Sequence, residues 1–329
     1  MARMRYRSGS YFYLNGNYFV SGDDSRYSGH KLERLNKRCL RVDEEFVSEF
    51  PDSIDLKITE RCSWGCPFCH ESSTPDGKDF DLEKTKEILG QLPPVGIEVA
   101  IGGGNVLECP EKALNLIEWL IERGNRPRLT INWKDLKSTG DPGKDEQRLK
   151  LINSVSAVGI SIQSMDGIEP PSKDAYSHDI STGTDLGENI SCYRVYHVIA
   201  GIFPASQLKT LYNNIEGAIL VLGYKQWGRA RNNNLPDMTE WKEAISELIT
   251  EREPDSYNTI GFDNLATEQL GIKELVGDKL WSKCYLGDEG TCSMYIDAVK
   301  GQYARTSRSP ERIDWNKIKL LDFYDTLKH

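Results

Sequence analysis

No stretch of this chain approaches the roughly 18 consecutive apolar residues that a membrane-crossing helix needs. The basic N-terminus, MARMRYRSGSYFYLNG, has no apolar core of the kind a secretory signal carries. These two absences predict a cytoplasmic protein with no membrane partner. Low-complexity tracts are also missing, which excludes disorder over most of the length. There is no surplus of positive charge: 41 Lys and Arg against 50 Asp and Glu leave a net charge of −9. A generally basic, nucleic-acid-coating surface is therefore excluded, while a local basic groove for nucleic acid stays open. A second C-x-x-C pair, which a zinc ribbon would need, is absent as well.

What is present is a chain of 329 residues, 38% hydrophobic and 28% charged. That is enough for one domain of α/β-barrel size with extensions, or for two smaller domains. Residues 11–20, YFYLNGNYFV, place Asn15-Gly16 between aromatic runs and predict a β-hairpin. Residues 21–50 carry no clear element. A rhythm then begins. SIDLKITE (53–60) alternates Ile54, Leu56 and Ile58 with polar residues and predicts a strand. Strands are also predicted over 96–104, 128–133, 157–164, 193–203 and 216–224.

Helices are predicted over 80–92 and 144–155. Another begins at Pro110, with Ala113, Leu114, Ile117, Leu120 and Ile121 as its apolar stripe and Gly124 as its stop. Asp237 and Glu240 resemble a capping box ahead of a helix whose apolar face is Trp241, Ala244, Ile245, Leu248 and Ile249. Residues 165–190, rich in Gly, Pro, Ser and Asp, predict a long loop. TIGFDN (259–264) reads as one more strand, and 293–307 as a hairpin. Six strands alternating with helices or long linkers predict a parallel sheet covered by helices, as an incomplete barrel or a doubly wound sheet.

Eight cysteines stand at 39, 62, 66, 69, 109, 192, 284 and 292. Three of them crowd into CSWGCPFCH (62–70), directly after the first strand of the rhythm. In a reducing compartment such a cluster predicts metal binding, whereas scattered cysteines are mostly small buried hydrophobes. Several readings overlap on these nine residues. Cys66-Pro-Phe-Cys69-His70 matches a haem-attachment pattern, but that needs an exported setting and leaves Cys62 unexplained. Zinc would require the adjacent Cys69 and His70 to reach one small ion, or three thiols and a distant ligand. An iron–sulfur cluster would use Cys62, Cys66 and Cys69 together.

Cys62-x3-Cys66-x2-Cys69, with the aromatic Phe68 before the last cysteine, resembles the signature of the radical S-adenosylmethionine (radical SAM) enzymes. The resemblance covers roughly residues 53–230. It implies an α/β fold, a partial (β/α)6 barrel, here with an N-terminal β-hairpin and a small C-terminal extension. The implied division is 1–50 for the N-terminal hairpin and extension, 51–235 for the barrel core, and 236–329 for a C-terminal helix, strand and hairpin. The implied cofactors are a [4Fe–4S] cluster on the three cysteines and S-adenosylmethionine (SAM) at its open iron. An electron donor such as flavodoxin or ferredoxin is implied as a partner. The family binds the SAM amino group at a glycine-rich stretch after the second strand, which corresponds to Gly102, Gly103, Gly104 and Asn105, with Asn105 in place of the usual acid.

Polar residues on the third and fourth strands serve the SAM carboxylate and ribose in the family. Thr130, Asn132, Ser161 and Gln163 occupy those places, and strand alternation puts each pair on one face. Val221, Leu222 and Gly223 end the sixth strand, where the family contacts adenine. The stretch CHESSTPDGKD resembles uncharacterised radical SAM proteins, some of them encoded by phages. Cys284 and Cys292 flank a segment that faintly resembles the SPASM extension. Arg305 lies near where a further cysteine of that extension is expected, so the scattered cysteines are expected to be structural.

The implied reaction is reductive cleavage of SAM to a 5′-deoxyadenosyl radical that takes hydrogen from a substrate. A peptide, a nucleotide or modified base, and an amino-acid-like molecule are the candidates. Tyr193, Tyr196, His197 and Lys225 lie near the later strands, and none is assigned a catalytic role. The competing class is a non-enzymatic zinc or structural iron–sulfur protein.

Overall fold

Alternating apolar and polar residues build a sheet with two unlike faces in this computed structural model. It describes residues 2–5, 11–15, 18–21, 50–94, 96–166, 186–215, 217–251, 259–285, 289–290 and 292–328. Strands β1 (Ala2–Arg5), β2 (Tyr11–Asn15) and β3 (Tyr18–Ser21) form a small antiparallel sheet, with Asn15 opposite Tyr18. The predicted hairpin is therefore present, joined by a further strand, while its turn at residues 16–17 lies outside the described residues.

The main sheet has ten strands. Seven of them are β4 (Ser53–Thr59), β5 (Glu98–Gly103), β6 (Arg126–Asn132), β7 (Ala157–Ile162), β8 (Tyr193–Ile199), β9 (Ala218–Leu222) and β10 (Thr259–Phe262). These run parallel in sequence order. The C-terminal hairpin, expected as part of a small extension, extends the main sheet. Its first strand, β11 (Ser293–Asp297), pairs parallel with β4, Ser293 beside Ser53. Strands β12 (Gln302–Ala304) and β13 (Ile313–Asp314) continue outward antiparallel. Among the described residues the end strands β10 and β13 do not pair with each other, so the sheet does not close into a barrel.

One face is apolar. Ile54, Leu56 and Ile58 of β4, Leu129 and Ile131 of β6, and Val158, Ile160 and Ile162 of β7 are all buried. Helices α1 (Leu82–Leu89), α2 (Pro110–Glu122), α3 (Pro142–Ile152), α4 (Leu208–Asn213) and α5 (Thr239–Glu251) follow the strands. Their own buried side chains, including Ile88, Leu120, Leu151, Leu211 and Ile245, join those of the strands in one core. Burying each such side chain contributes about 1.5–3 kcal/mol. Local signals set the helix starts: Asp81 caps α1, Asp141 with Pro142 caps α3, and Asp237 accepts bonds from Thr239 at the start of α5. The stripe on α2 differs from the expected one. Ala113, Leu116, Ile117 and Leu120 are buried, whereas Ile121 is 47% exposed, because the buried positions follow the i, i+3, i+4, i+7 set from Ala113.

The core runs from Phe50 to Leu327, so elements beyond residue 235 share it and the main sheet. Those elements include α6 (Asn264–Leu270), α7 (Ile272–Cys284) and α8 (Leu320–Thr326). Of the predicted long loop, residues 167–185 lie outside the described residues. Among the described residues no helix is long and apolar enough to cross a membrane.

Candidate cofactor site

The opposite face of the sheet carries the polar residues, and parallel register aligns them in rows. One row reads Asp297, Lys57, Gly102, and the next strand over carries Thr130 beside Gly159. A row nearer the C-terminal ends reads Asn132, Ser161, His197, Leu220. Thr130, Asn132, Ser161 and Gln163 are half-buried here, opposite the buried aliphatic residues of their own strands. The Gln163 Oε1 atom is buried without a hydrogen-bond partner among the described residues.

The cysteine loop leaves β4 at these C-terminal ends, the edge where parallel α/β sheets bind ligands. Its backbone is tied down at many points. Cys62 N–H donates to Thr74 O at 2.9 Å, and Cys69 N–H donates to Cys66 O at 3.1 Å, which closes the Cys-Pro-Phe-Cys turn. Ser63 N–H donates to Glu108 Oε1 at 2.8 Å. Asp135, 1% exposed, gathers three segments: its Oδ1 accepts from Trp64 Nε1 and Asn105 Nδ2, both at 3.0 Å, and its Oδ2 accepts from Asn132 N–H at 3.3 Å. Phe68 is half-buried against the core.

From across the sheet, the segment after β9 reaches the same loop. Arg229 N–H donates to Cys69 O at 3.0 Å, its Nε to Cys66 O at 2.8 Å, and its Nη1 to Ser73 O at 2.7 Å.

The glycines after β5 pack against the cysteine loop. Gly104 N–H donates to Thr59 O and Asn105 N–H to Arg61 O, both at 2.7 Å. A Cβ on Gly104 would stand 2.2 Å from Arg61 O, so this glycine admits the root of the cysteine loop. Gly102 is the one of the three beside which a Cβ would meet open space. The Asn105 side chain caps a short helical turn through Leu107 N–H and bonds Asp135, so it works as a tie between loops. Leu222 is half-buried, and Gly223 donates to Asp263 Oδ1 at 2.9 Å and makes room for Leu265.

The thiols lie near enough to influence one another. Burial pushes Cys62 and Cys66 up, and the neighbouring thiols add to it; Lys134 and Arg229 pull Cys66 back. Beside them sits a charge network. Lys57, 3% exposed, places Nζ 2.8 Å from Glu71, 2.9 Å from Glu60 and 3.3 Å from Asp297. Burial alone would depress this ammonium, but Glu71 and Asp297 outweigh it and hold it above the ordinary lysine range. The Glu71 carboxyl, despite burial, is held well below the usual range by His70 and Lys57. His70, 3.3 Å from Glu71, is pushed down by burial and by Lys225. Asp55 lies on the same face of β4 as Lys57, where solvent reaches it yet protein surrounds it; burial pushes its carboxyl up to about 6, against the pull of Lys225. His197 packs over Gly159, and burial pushes it down to about 4.

Of the other residues near the later strands, Tyr196 points into the apolar core at 1% exposure, and Tyr193 is 53% exposed at the far end of β8. Lys225 bonds Ser307 Oγ at 3.2 Å. It stands close to a cleft of about 640 Å³ lined by Trp227, Trp281, Tyr285, Glu289, Arg305 and Arg308, among others. Of the scattered cysteines, Cys109 is buried with its thiol pushed up to about 12, mainly by burial, and its Sγ faces Val106 O. Cys192 Sγ faces Ile152 O. Cys39 and the Cys284 side chain lie outside the described residues.

Asp135, Arg229 and Lys57 escaped the sequence reading. Asn132-x-x-Asp135 is a capping-box spacing, which was there to be used. Lys57 falls on the polar face of a central strand, a second usable signal. Arg229 sits in an ordinary basic stretch and carries no signal.

The donor set suits a thiolate-bound cluster. Cys62, Cys66 and Cys69 are three free thiols on one loop. A cubane takes one thiolate at each of three separate irons. Residues 56–180 match the family model for the radical SAM superfamily. That segment is a radical SAM domain.

Radical SAM enzymes work with a [4Fe–4S] cluster and SAM. The chain is similar to the radical SAM cyclopropyl synthase TigE of Paramaledivibacter caminithermalis, 24% identical over 148 residues. That match covers 41% of this chain and 26% of TigE, so the chain spans about a quarter of its relative's length. Among solved structures, SuiB of Streptococcus suis bound to S-adenosylmethionine superposes with a TM-score of 0.60 at 14% identity, covering 93% of this chain and 74% of SuiB. SuiB bound to its precursor peptide SuiA gives 0.60 at 15% identity, covering 96% and 74%. At such identities the likeness establishes the α/β radical SAM fold.

Proposed function

We propose that this chain is a radical SAM enzyme whose cluster is held by Cys62, Cys66 and Cys69, with SAM laid along the polar face of the sheet. One observation carries the reading: three thiols on one restrained loop at the C-terminal end of β4, inside the segment that matches the superfamily. When bound, a reduced [4Fe–4S] cluster and SAM together supply a 5′-deoxyadenosyl radical able to take a hydrogen atom from an unreactive C–H bond.

The chain's own residues hold, orient and shield. Phe68 covers the loop on its core side. Open space beside Gly102 leaves room for SAM, and the unpartnered Gln163 Oε1 is an acceptor for a ligand N–H or O–H. Thr130, Asn132 and Ser161 line the same face. Leu222 and Gly223 close the far side, where adenine is expected. The Cys39, Cys109, Cys192, Cys284 and Cys292 positions are left without a cluster role.

The substrate we propose is a peptide, entering by the cleft at Trp227, Trp281 and Tyr285. SuiB, whose fold is similar, has been solved with a precursor peptide, and that supports the class. The test is anaerobic reconstitution with iron and sulfide. Broad absorption near about 400 nm, as thiolate-bound clusters give, and 5′-deoxyadenosine released from SAM under dithionite are expected. Cys62→Ala, Cys66→Ala and Cys69→Ala each abolish both. Colourless protein carrying one zinc overturns the reading. Deuterium moving from a labelled peptide into 5′-deoxyadenosine supports the peptide class, and transfer from a nucleotide instead refutes it.

A further inference from the structure

We propose that Arg229 is the positioning residue of the cofactor loop, fixing its shape before iron arrives and offering a hydrogen bond to the anionic group the loop then holds. This rests on the reading of residues 62–69 as the cluster loop.

The loop's carbonyls are the first ground. Cys66 O, Cys69 O and Ser73 O all turn toward one residue, which donates from its Nε, its backbone N–H and its Nη1. Cys66 O also accepts from Cys69 N–H, so Arg229 and the Cys-Pro-Phe-Cys turn share an acceptor. Fixing those peptide planes fixes the directions in which the Cys66 and Cys69 side chains leave the backbone. A planar guanidinium suits this task, because its donors are rigidly spaced.

The backbone approach is the second ground. Gly228 has φ +57°, and a Cβ there would stand 2.4 Å from His70 O. Only glycine lets the segment come this close. The segment is itself anchored: Ala230 is fully buried, Gln226 Nε2 donates to Asn233 O, and Asn233 Nδ2 donates to the Tyr224 hydroxyl. The latch therefore swings from a fixed base.

The third ground is a donor with nothing to bond. Arg229 Nη2 is buried and has no hydrogen-bond partner among the described residues. Leaving a buried guanidinium N–H unpaired is costly. A cluster ligated by three thiolates is anionic, and a charge-assisted bond from Nη2 satisfies the donor. A nearby cation also favours the more negative, reduced state of such a cluster.

The latch is tested first in metal-free protein. In Arg229→Met, amides of residues 62–74 exchange on the order of tenfold faster than in wild type, while amides of β6 and β7 do not change. Gly228→Ala keeps the guanidinium but forces the segment off His70, and it speeds the same amides. It serves as the second variant if Arg229→Met melts at too low a temperature to study.

After anaerobic reconstitution, Arg229→Met retains a minor fraction of wild-type iron per chain, and its cluster titrates at a more negative potential. Arg229→Lys restores the potential toward wild type but leaves loop exchange fast, since one ammonium cannot span Cys66 O and Ser73 O. Unchanged exchange in both Arg229→Met and Gly228→Ala overturns the positioning role. Equal potentials in the Met and Lys variants overturn the charge role. If wild type forms no cluster, the enzyme reading fails while the exchange measurements still decide the latch.

Discussion

Replacing Lys57 with methionine removes one cation from among three carboxylates. Its Nζ stands 2.8, 2.9 and 3.3 Å from Glu71, Glu60 and Asp297, and those side chains are only 12%, 25% and 5% exposed. Methionine fills much of the same volume, so little packing is lost. What remains is a group of anions facing one another with little water to screen them. Breaking a buried ion pair in this way costs about 3–5 kcal/mol. A typical domain has roughly 5–15 kcal/mol in total, so the loss is severe.

The pH dependence follows from the shifts. Lys57 is held above its ordinary range, so its contribution is complete below its unfolded value and is lost only as pH rises through the raised one. Glu71 is held below its range, so its contribution is complete above its unfolded value and is lost as pH falls. Between pH 5 and 8 both are intact in wild type. The pH dependence of the difference then belongs to the variant, whose stranded carboxylates take up protons on acidification. Urea unfolding of metal-free protein at pH 8 and pH 5 measures this: the deficit is largest at pH 8 and shrinks at pH 5. A deficit below about 1 kcal/mol at pH 8, or equal deficits at both pH values, refutes the reasoning.

Further outcomes are as definite. His197, pushed down to about 4 by burial, keeps its full contribution above about 6.5 and loses up to about 3 kcal/mol as pH falls toward 4. His197→Gln therefore flattens the acid limb of a stability–pH curve, and an unchanged limb speaks against the assignment. The Asp55 carboxyl sits at about 6, above its unfolded 3.8, so its ionisation opposes folding at neutral pH. Asp55→Asn raises the melting temperature at pH 7.5 and not at pH 4; a lower melting temperature at pH 7.5 would contradict this. Gly104→Ala drives a methyl group into Arg61 O, whereas Gly102→Ala meets open space. Iron content after reconstitution falls in the first far more than in the second, and equal losses would mean the loop root is not where the glycine matters.

Periodicity alone located the parallel strands, because each carries aliphatic residues on one face and polar residues on the other. That Cys62, Cys66 and Cys69 share one loop was legible from spacing, since local sequence carries a loop motif whole. The use of Gly104 was not, because the reason for it is the backbone of Arg61, brought near only by the pairing of β4 with β5. Tyr196 and His197 are one residue apart, and strand alternation puts the first in the apolar core and the second on the polar face. The place of β11 beside β4 joins segments from opposite ends of the chain, and no window of sequence contains both. Arg229 meets the cysteine loop through the same kind of distance.

The neighbour of β4 on one side, β11, is made from a segment far downstream in the chain. As the chain leaves the ribosome, the strand that leads into the cysteines waits with an open flank until Ser293–Asp297 has emerged. Lys57 likewise waits for Asp297. Completion of the sheet around the cysteine loop is thus a late event in synthesis, and a nascent chain stalled before residue 293 carries that loop on a strand still half-zipped.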